Sequence, residues 1–304
     1  MNSAYKKFNE IKTAYLSSLQ TIAKSKATYL KYSQVVNDFA QHLEQNDCEH
    51  KDITAVQILN YSKAVKERGI KNNTLRHYLI VLRTFFAWCI NHKFYAENPV
   101  LEEDIPKQER IDYDLLTEEE VNRILSGELP PYTQHPERTK AIIFTFLLTG
   151  LRVSELINLR IGDLDFIEGV ISVVGKGNKL RTTTLPQQLI KVLQPYLTAY
   201  NKTSKTDLLF DNGKGKSFTR QNITKVVEGY AYRLLGHRHI GAHDLRHAFA
   251  SLLLTQGAKL EQIQYKLGHS SYATTVIYAS HLAPNRATHE MNSLLDNLPT
   301  FSNA

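Results

Sequence analysis

Cysteine is scarce in this chain: Cys48 and Cys89 are the only two among 304 residues. No pair of ligand-spaced cysteines exists, so neither a disulfide framework nor a cysteine-based zinc site carries the fold, and a reducing cytosolic compartment fits. Long apolar runs are missing as well. Nothing approaches the roughly 18 residues that a bilayer span requires, which excludes an integral membrane protein. The opening MNSAYKKFNEIKTAYL is polar and mixed in charge, so it lacks the apolar core of a secretion signal. No internal repeat or low-complexity tract is present. What remains is enough chain for two ordinary domains, each with its own core.

Charge is present in quantity and unevenly placed. Residues 1–93 hold 14 basic and 7 acidic side chains, residues 94–132 hold 3 and 11, and residues 133–304 hold 20 and 12, giving net charges of +7, −8 and +8. Two basic blocks around an acidic stretch suggest two domains that face one polyanion, with a connector kept off it by repulsion. The connector is read at 98–114, where Pro99 and Pro106 accompany Glu102, Glu103, Asp104, Glu109, Asp112 and Asp114. The domains are then 1–97 and 115–304.

Periodicity assigns the first block to helices. Leu75, Leu79, Leu82, Phe86 and Cys89 recur at three to four residues, the stripe of a helix facing a core. Two basic, hydroxyl-rich openings, Lys24-Ser25-Lys26-Ala27-Thr28-Tyr29 and Lys71-Asn72-Asn73-Thr74-Leu75-Arg76, read as helix N-termini capped by Ser, Asn or Thr. A helix N-terminus beside lysine is a ready phosphate site, which makes Lys24, Lys26, Lys71, Asn72, Thr74 and Arg76 candidate phosphate contacts, the DNA-binding set once the resemblance below is drawn. In the second block, Thr117-Glu118-Glu119-Glu120 reads as a capping box, and the apolar run Ala141 to Leu148 stops at Gly150. Short β-branched runs at 170–174 and 180–185 flank Gly175-Lys176-Gly177-Asn178-Lys179, a hairpin with a lysine at its tip. Helical spacing returns near 187–200, 219–235, 243–256, 260–267 and 272–279. The fold class is mainly α, with a helical first domain and an α+β second domain holding one small antiparallel sheet.

Several segments of the second block carry chemistry. Arg152 follows a helix-breaking glycine, and Glu155 at i+3 can aim its guanidinium at an oxyanion. His243, Arg246 and His247 share one helix face. The His243–His247 spacing also matches a zinc-binding helix, with His237 and His239 just upstream, but Arg246 would place a fixed positive charge on that ligand face. His269 follows a helix-ending Leu267-Gly268, and Tyr278 comes nine residues later. Two arginines, a hairpin lysine, two histidines and a tyrosine, without a carboxylate cluster suited to magnesium, match attack on a phosphodiester by tyrosine. A tyrosine titrates near 10, so ionising it at pH 7 costs about 4 kcal/mol, which a base or a cationic field must offset.

On these residues the sequence resembles the tyrosine recombinase (phage integrase) family, close to its Xer-type members, from about residue 10 to 295. The family's first-arginine motif is matched by Thr149 to Leu156, its hairpin lysine by Lys176, its H-x-x-R box by His243 to Arg246, its L-G-H motif by Leu267-Gly268-His269 and its nucleophile by Tyr278. The resemblance implies an N-terminal core-binding (SAM-like) domain and a catalytic domain that clamp duplex DNA. Arg152 and Arg246 would hold the scissile phosphate, each supplying about 2–4 kcal/mol. Lys176 would protonate the leaving 5′ oxygen, His243 would accept the tyrosine proton, His269 would hydrogen-bond the phosphate, and Glu155 would support Arg152. Strand exchange would run through a 3′-phosphotyrosyl intermediate and a Holliday junction, in a homotetramer on two DNA sites, without metal, ATP or any other cofactor. An accessory or heterologous recombinase partner is compatible with this scheme. The tail, with Leu282, Met291, Leu294 and Leu295, would dock on a neighbouring protomer.

The start of the chain near the core-binding helices leaves no room for a separate arm-binding domain, so short, simple crossover sites are expected, as for a Xer-like resolvase or a mobile-element recombinase in a bacterial cytoplasm, associated with the nucleoid. Three alternatives stand beside this reading. A topoisomerase-like enzyme would relax supercoiled plasmid as a monomer, a DNA-binding regulator would have a decayed site, and a His-ligated zinc hydrolase would lose activity with a chelator.

Overall fold

The stripe read between Leu75 and Cys89 is the buried face of a 20-residue helix. In the computed structural model, which describes residues 3–22, 26–109, 116–175, 180–236 and 240–268, the chain divides into two units, Met1–Tyr113 and Asp114–Ala304. The first unit holds α1 (Ser3–Ile22), α2 (Lys26–Gln45), α3 (Ala55–Glu67) and α4 (Asn72–Asn91). Helix α4 packs against the other three, and its Leu75, Leu79, Leu82, Phe86 and Cys89 are all buried. Aromatic rings fill the centre edge to face: Phe39 meets Phe8, Tyr61 and Phe86 at centroid distances of 6.1, 5.1 and 6.0 Å. Such pairs add about 0.5–1.5 kcal/mol each beyond the area they bury. The Tyr61 hydroxyl donates to Asp38 (2.6 Å), whose carboxylate also takes both prongs of Arg68 (2.7 and 2.8 Å). Those hydrogen bonds, the arginine's first, hold the Asp38 pKa below the ordinary carboxylate value.

Two expectations about this unit change. Helix α4 has Lys71 at its N-cap, with no side-chain cap bond. Asn72 and Asn73 are turned elsewhere: Asn72 donates to the Glu109 carboxylate (2.5 Å), and Asn73 exchanges two bonds with the Glu109 backbone (3.0 and 2.9 Å). Arg76 donates to the Pro106 carbonyl (2.8 Å), and Asn98 to the Arg83 carbonyl (2.9 Å). Residues 98–109, part of the stretch read as the interdomain linker, are therefore fastened along α4, and the first unit runs to Tyr113. Backbone groups explain the difference, because proline-rich chain with few internal bonds finds partners in asparagine and arginine side chains.

The second unit begins with α5 (Glu118–Leu125), where the capping box at Thr117 forms as read: Glu120 N–H donates to Thr117 Oγ1 (3.2 Å), and Thr117 N–H donates to the Glu120 carboxylate (2.8 Å). Helix α6 (Pro136–Thr149) is buried on nearly every side and packs against α8 (Gln187–Ala199), α9 (Arg220–Leu235) and α10 (Ala242–Thr255). Its centrality follows from its composition, with apolar residues around the full circumference from Ala141 to Leu148. The short α7 (Val153–Leu156) leads to a three-stranded antiparallel sheet of β1 (Leu164–Asp165), β2 (Val170–Val174) and β3 (Leu180–Thr184), in that order. The hairpin pairs Val170 with Thr184 and Val174 with Leu180. The two-residue β1, paired with Ile171 and Val170, is too short to leave a periodic signal. Helix α11 (Leu260–Leu267) ends the described chain at Gly268. The helix read near 272–279 and the docking tail lie outside the described residues. Among the described residues no helix is long and apolar enough to cross a membrane.

Candidate active site

Helix α6 ends where its apolar run stops, at Gly150, in the left-handed region (φ 62°) with its N–H on the Phe146 carbonyl. A side chain there would be strained by the backbone conformation and would overlap the Phe249 ring of α10 and Leu267 of α11. That closeness brings the ends of α6 and α11 and the side of α10 to one place. Strand β3 is tied to the same point: Thr183 Oγ1 donates to the Thr149 carbonyl (3.1 Å) and Thr184 Oγ1 to the Leu148 carbonyl (3.4 Å).

Arg152 sits at the N-cap of α7, and Glu155 bonds it twice. The carboxylate accepts from the Arg152 backbone N–H (2.8 Å) and from Nη1 (3.0 Å), the i+3 pair read from the sequence. Arg152 Nη2 donates to the Gly268 carbonyl (3.0 Å). Its side chain keeps 33% exposure, while that of Glu155 keeps 3%. Arg246, on α10, is 1% exposed, and its guanidinium donates to the Gly150 carbonyl and to the Leu267 carbonyl (2.6 Å). The sequence places this arginine on one face with His243, but its depth is a feature of the packing alone. Leu267 and Gly268 immediately precede His269. The two arginines, distant in sequence, thus hold consecutive carbonyls at the end of α11.

His243, one turn before Arg246, presents an exposed ring that meets the ring of His247 with centroids 4.3 Å apart. Partial shielding from water lowers its pKa from 6.5, the charges of Arg246 and Arg152 lower it further, and Asp244 acts in the opposite direction. A neutral imidazole at pH 7 is the form able to accept a proton. Lys176, His269 and Tyr278 lie outside the described residues, as do His237 and His239. Among the described residues no group of three His, Cys, Asp or Glu side chains is placed to hold a metal ion.

The sequence reading missed Arg181. It lies on β3, two residues before the buried Thr183 and on the same strand face. Its Nη2 donates to the second oxygen of Glu155 (2.9 Å) and its Nη1 to the Lys266 carbonyl (2.6 Å). An arginine in register with the buried face of a strand requires an anion nearby, which is the signal that would have found it. Of the DNA-contact candidates in the first unit, Lys26, Lys71 and Thr74 are exposed, Asn72 and Arg76 are engaged by residues 106–109, and Lys24 lies outside the described residues.

Comparisons with known proteins bear on the family and the fold. The profile of the phage integrase family matches residues 114–285, and that of the phage integrase N-terminal SAM-like domain matches residues 13–93. The tyrosine recombinase XerD of Oceanobacillus iheyensis is 31% identical over 258 residues, which cover 83% of this chain and 86% of that protein. Among solved structures, the XerH site-specific recombinase bound to difH substrate in a pre-cleavage complex superposes with a TM-score of 0.67 at 25% identity, covering 87% of this chain and 78% of that one. The Tn1549 transposon integrase in complex with transposon right end DNA gives a TM-score of 0.74 at 20% identity, covering 94% of this chain and 99% of that one, a likeness of fold.

Proposed function

The chain belongs to the phage integrase family of tyrosine recombinases, enzymes of site-specific DNA recombination, and from that premise we propose that it cleaves and rejoins DNA through a 3′-phosphotyrosyl bond at Tyr278. The observation that carries the proposal is the grip of Arg152 and Arg246 on the carbonyls of Gly268 and Leu267, which brings both cations to the two residues before His269. In the reaction the Tyr278 oxygen bonds to phosphorus and the bond to the 5′ oxygen breaks. His243 takes the phenol proton, Lys176 gives a proton to the departing oxygen, and Arg152, Arg246 and His269 stabilise the charge that builds on the non-bridging oxygens. The phosphotyrosyl ester keeps roughly the energy of the bond it replaced, so a 5′ hydroxyl from a second duplex reverses the step without ATP. A tetramer on two short sites then exchanges strands through a Holliday junction, serving integration, excision or resolution of mobile DNA, plasmid or chromosome multimers. Lys24, Lys26, Lys71 and Thr74 supply phosphate contacts from the first unit, so affinity falls steeply with salt. The protein works on DNA in the cytoplasm, at the nucleoid.

The test is a nicked suicide duplex carrying the site recovered by binding selection with the full chain. In EDTA and without ATP, the protein is expected to form a covalent adduct and to join the cleaved strand to a second duplex. Dependence on an added divalent ion, or release of a hydrolysed end in place of joining, overturns the proposal.

The lowered His243 pKa sets a second expectation. A base with a depressed pKa stays unprotonated below its ordinary value, so the acid limb of single-turnover cleavage should fall below pH 6.5, and His243→Gln should remove that limb. Rates measured across pH 5–8 check this. A limb above 6.5 contradicts the assignment of His243 as the base.

A further inference from the structure

We propose that Arg181 is a positioning residue whose charge balances Glu155, so that Arg152 meets the DNA phosphate with its positive charge uncancelled. The inference rests on the recombinase reading above and goes beyond it, because Arg181 belongs to none of the motifs that carry the resemblance.

The geometry is a triad of two guanidiniums around one carboxylate, with Glu155 and Arg181 buried and Arg152 partly exposed. One Glu155 oxygen accepts from Arg152 Nη1 (3.0 Å), and the other accepts from Arg181 Nη2 (2.9 Å) and the Arg152 backbone N–H (2.8 Å). With Glu155 and Arg152 alone, the pair is neutral, and a phosphate beside it feels a dipole in place of a charge. The second arginine leaves the group at +1. Burial matters here. The Glu155 side chain is 3% exposed and that of Arg181 13% exposed, so water does little to screen the carboxylate, and an unbalanced anion would act directly on Arg152.

Arg181 also fixes where the charges stand. Its Nη1 donates to the Lys266 carbonyl (2.6 Å), and a Cβ at Gly268 would lie 2.9 Å from its Nε. Gly268 has φ +61°, and its carbonyl receives Arg152 Nη2. A single side chain on β3 therefore touches the anion that aims Arg152 and the end of α11 that precedes His269. Arg181 is the second residue of β3, opposite Val173 of β2.

The experiment compares wild type, R181M, R181K and the double variant E155Q/R181M in single-turnover cleavage of the nicked suicide duplex at saturating protein. Duplex affinity and thermal unfolding are measured alongside. R181M should cleave about 10- to 100-fold more slowly, a fraction of the loss expected for a whole oxyanion donor, with affinity changed less than about threefold. R181K, which keeps the charge, should recover part of the rate. E155Q/R181M removes both the carboxylate and its counter-charge and should cleave faster than R181M; a purely structural role for Arg181 would make the double variant as slow as R181M or slower. A wild-type rate in R181M, or no recovery in the double variant, overturns the inference. Should R181M fail to fold, the double variant decides: a rate within about tenfold of wild type supports charge balance, and a deeper loss refutes it. If the wild type itself forms no adduct, the recombinase reading fails first and takes the inference with it.

Discussion

Tyr278→Phe should abolish the covalent protein–DNA adduct completely while leaving duplex binding unchanged. The substitution removes one oxygen, the atom that the proposed reaction joins to phosphorus. Several described tyrosines of the second unit are poorly suited to the same role. Tyr196 and Tyr230 are buried, and their hydroxyls donate to the carbonyls of Leu209 (2.6 Å) and Glu128 (3.0 Å). Burial raises both pKa values, that of Tyr230 to about 12, so neither phenol is readily ionised. Tyr200 pairs with His135. Tyr265 is exposed on α11 and serves as the control, because Tyr265→Phe should form the adduct at the wild-type rate. Denaturing gels of the nicked duplex after incubation read both variants. An adduct from Y278F would mean that another residue attacks the phosphorus.

Local chemistry was legible in the sequence at several places where the partners lie within one turn, though not at the start of α4, where Lys71 takes the N-cap position. The Thr117 capping box, the Arg152–Glu155 pair and the helix stops at Gly150 and Gly268 all involve residues at most a few positions apart, and each forms where periodicity and composition place it; the strands on either side of the hairpin tip pair as their β-branched runs suggest. Contacts between distant segments left no such trace. Glu155 meets Arg181 across 26 positions, Arg246 meets the Gly150 carbonyl across 96, and Asn72 meets Glu109 across 37. Arg181 was hidden for a second reason: in a run of Leu, Arg and three Thr, strand propensity looks the same whether the arginine faces water or a carboxylate. The prolines and acids of residues 98–109 pointed to an interdomain linker, yet composition says nothing about partners: backbone groups of Pro106 and Glu109 and the side chains of Asn98 and Glu109 fasten the segment to α4.

Arg152→Ala and Arg246→Ala should both lower cleavage by about two to three orders of magnitude, one donor's worth of stabilisation, but they should separate in stability. The Arg152 side chain is one-third exposed, and its loss leaves Glu155 still paired with Arg181, so the unfolding temperature should move by only a few degrees. Arg246 is 1% exposed and donates to the carbonyls of Gly150 and Leu267. Its removal leaves those two acceptors without their cation, and a cavity the size of a guanidinium between α6, α10 and α11. Breaking such a buried, charge-assisted contact costs about 3–5 kcal/mol, which should appear as a clear drop in unfolding temperature. Arg246→Lys separates the two roles, since an ammonium restores a buried positive charge but cannot bridge both carbonyls in the plane of a guanidinium. It should regain part of the stability while cleavage stays far below wild type. Thermal unfolding and single-turnover cleavage, measured on the same preparations, decide the matter: if Arg246→Ala unfolds at the wild-type temperature, the two carbonyl contacts do not hold the site together, and if Arg152→Ala cleaves normally, the exposed guanidinium is not the one that meets the phosphate.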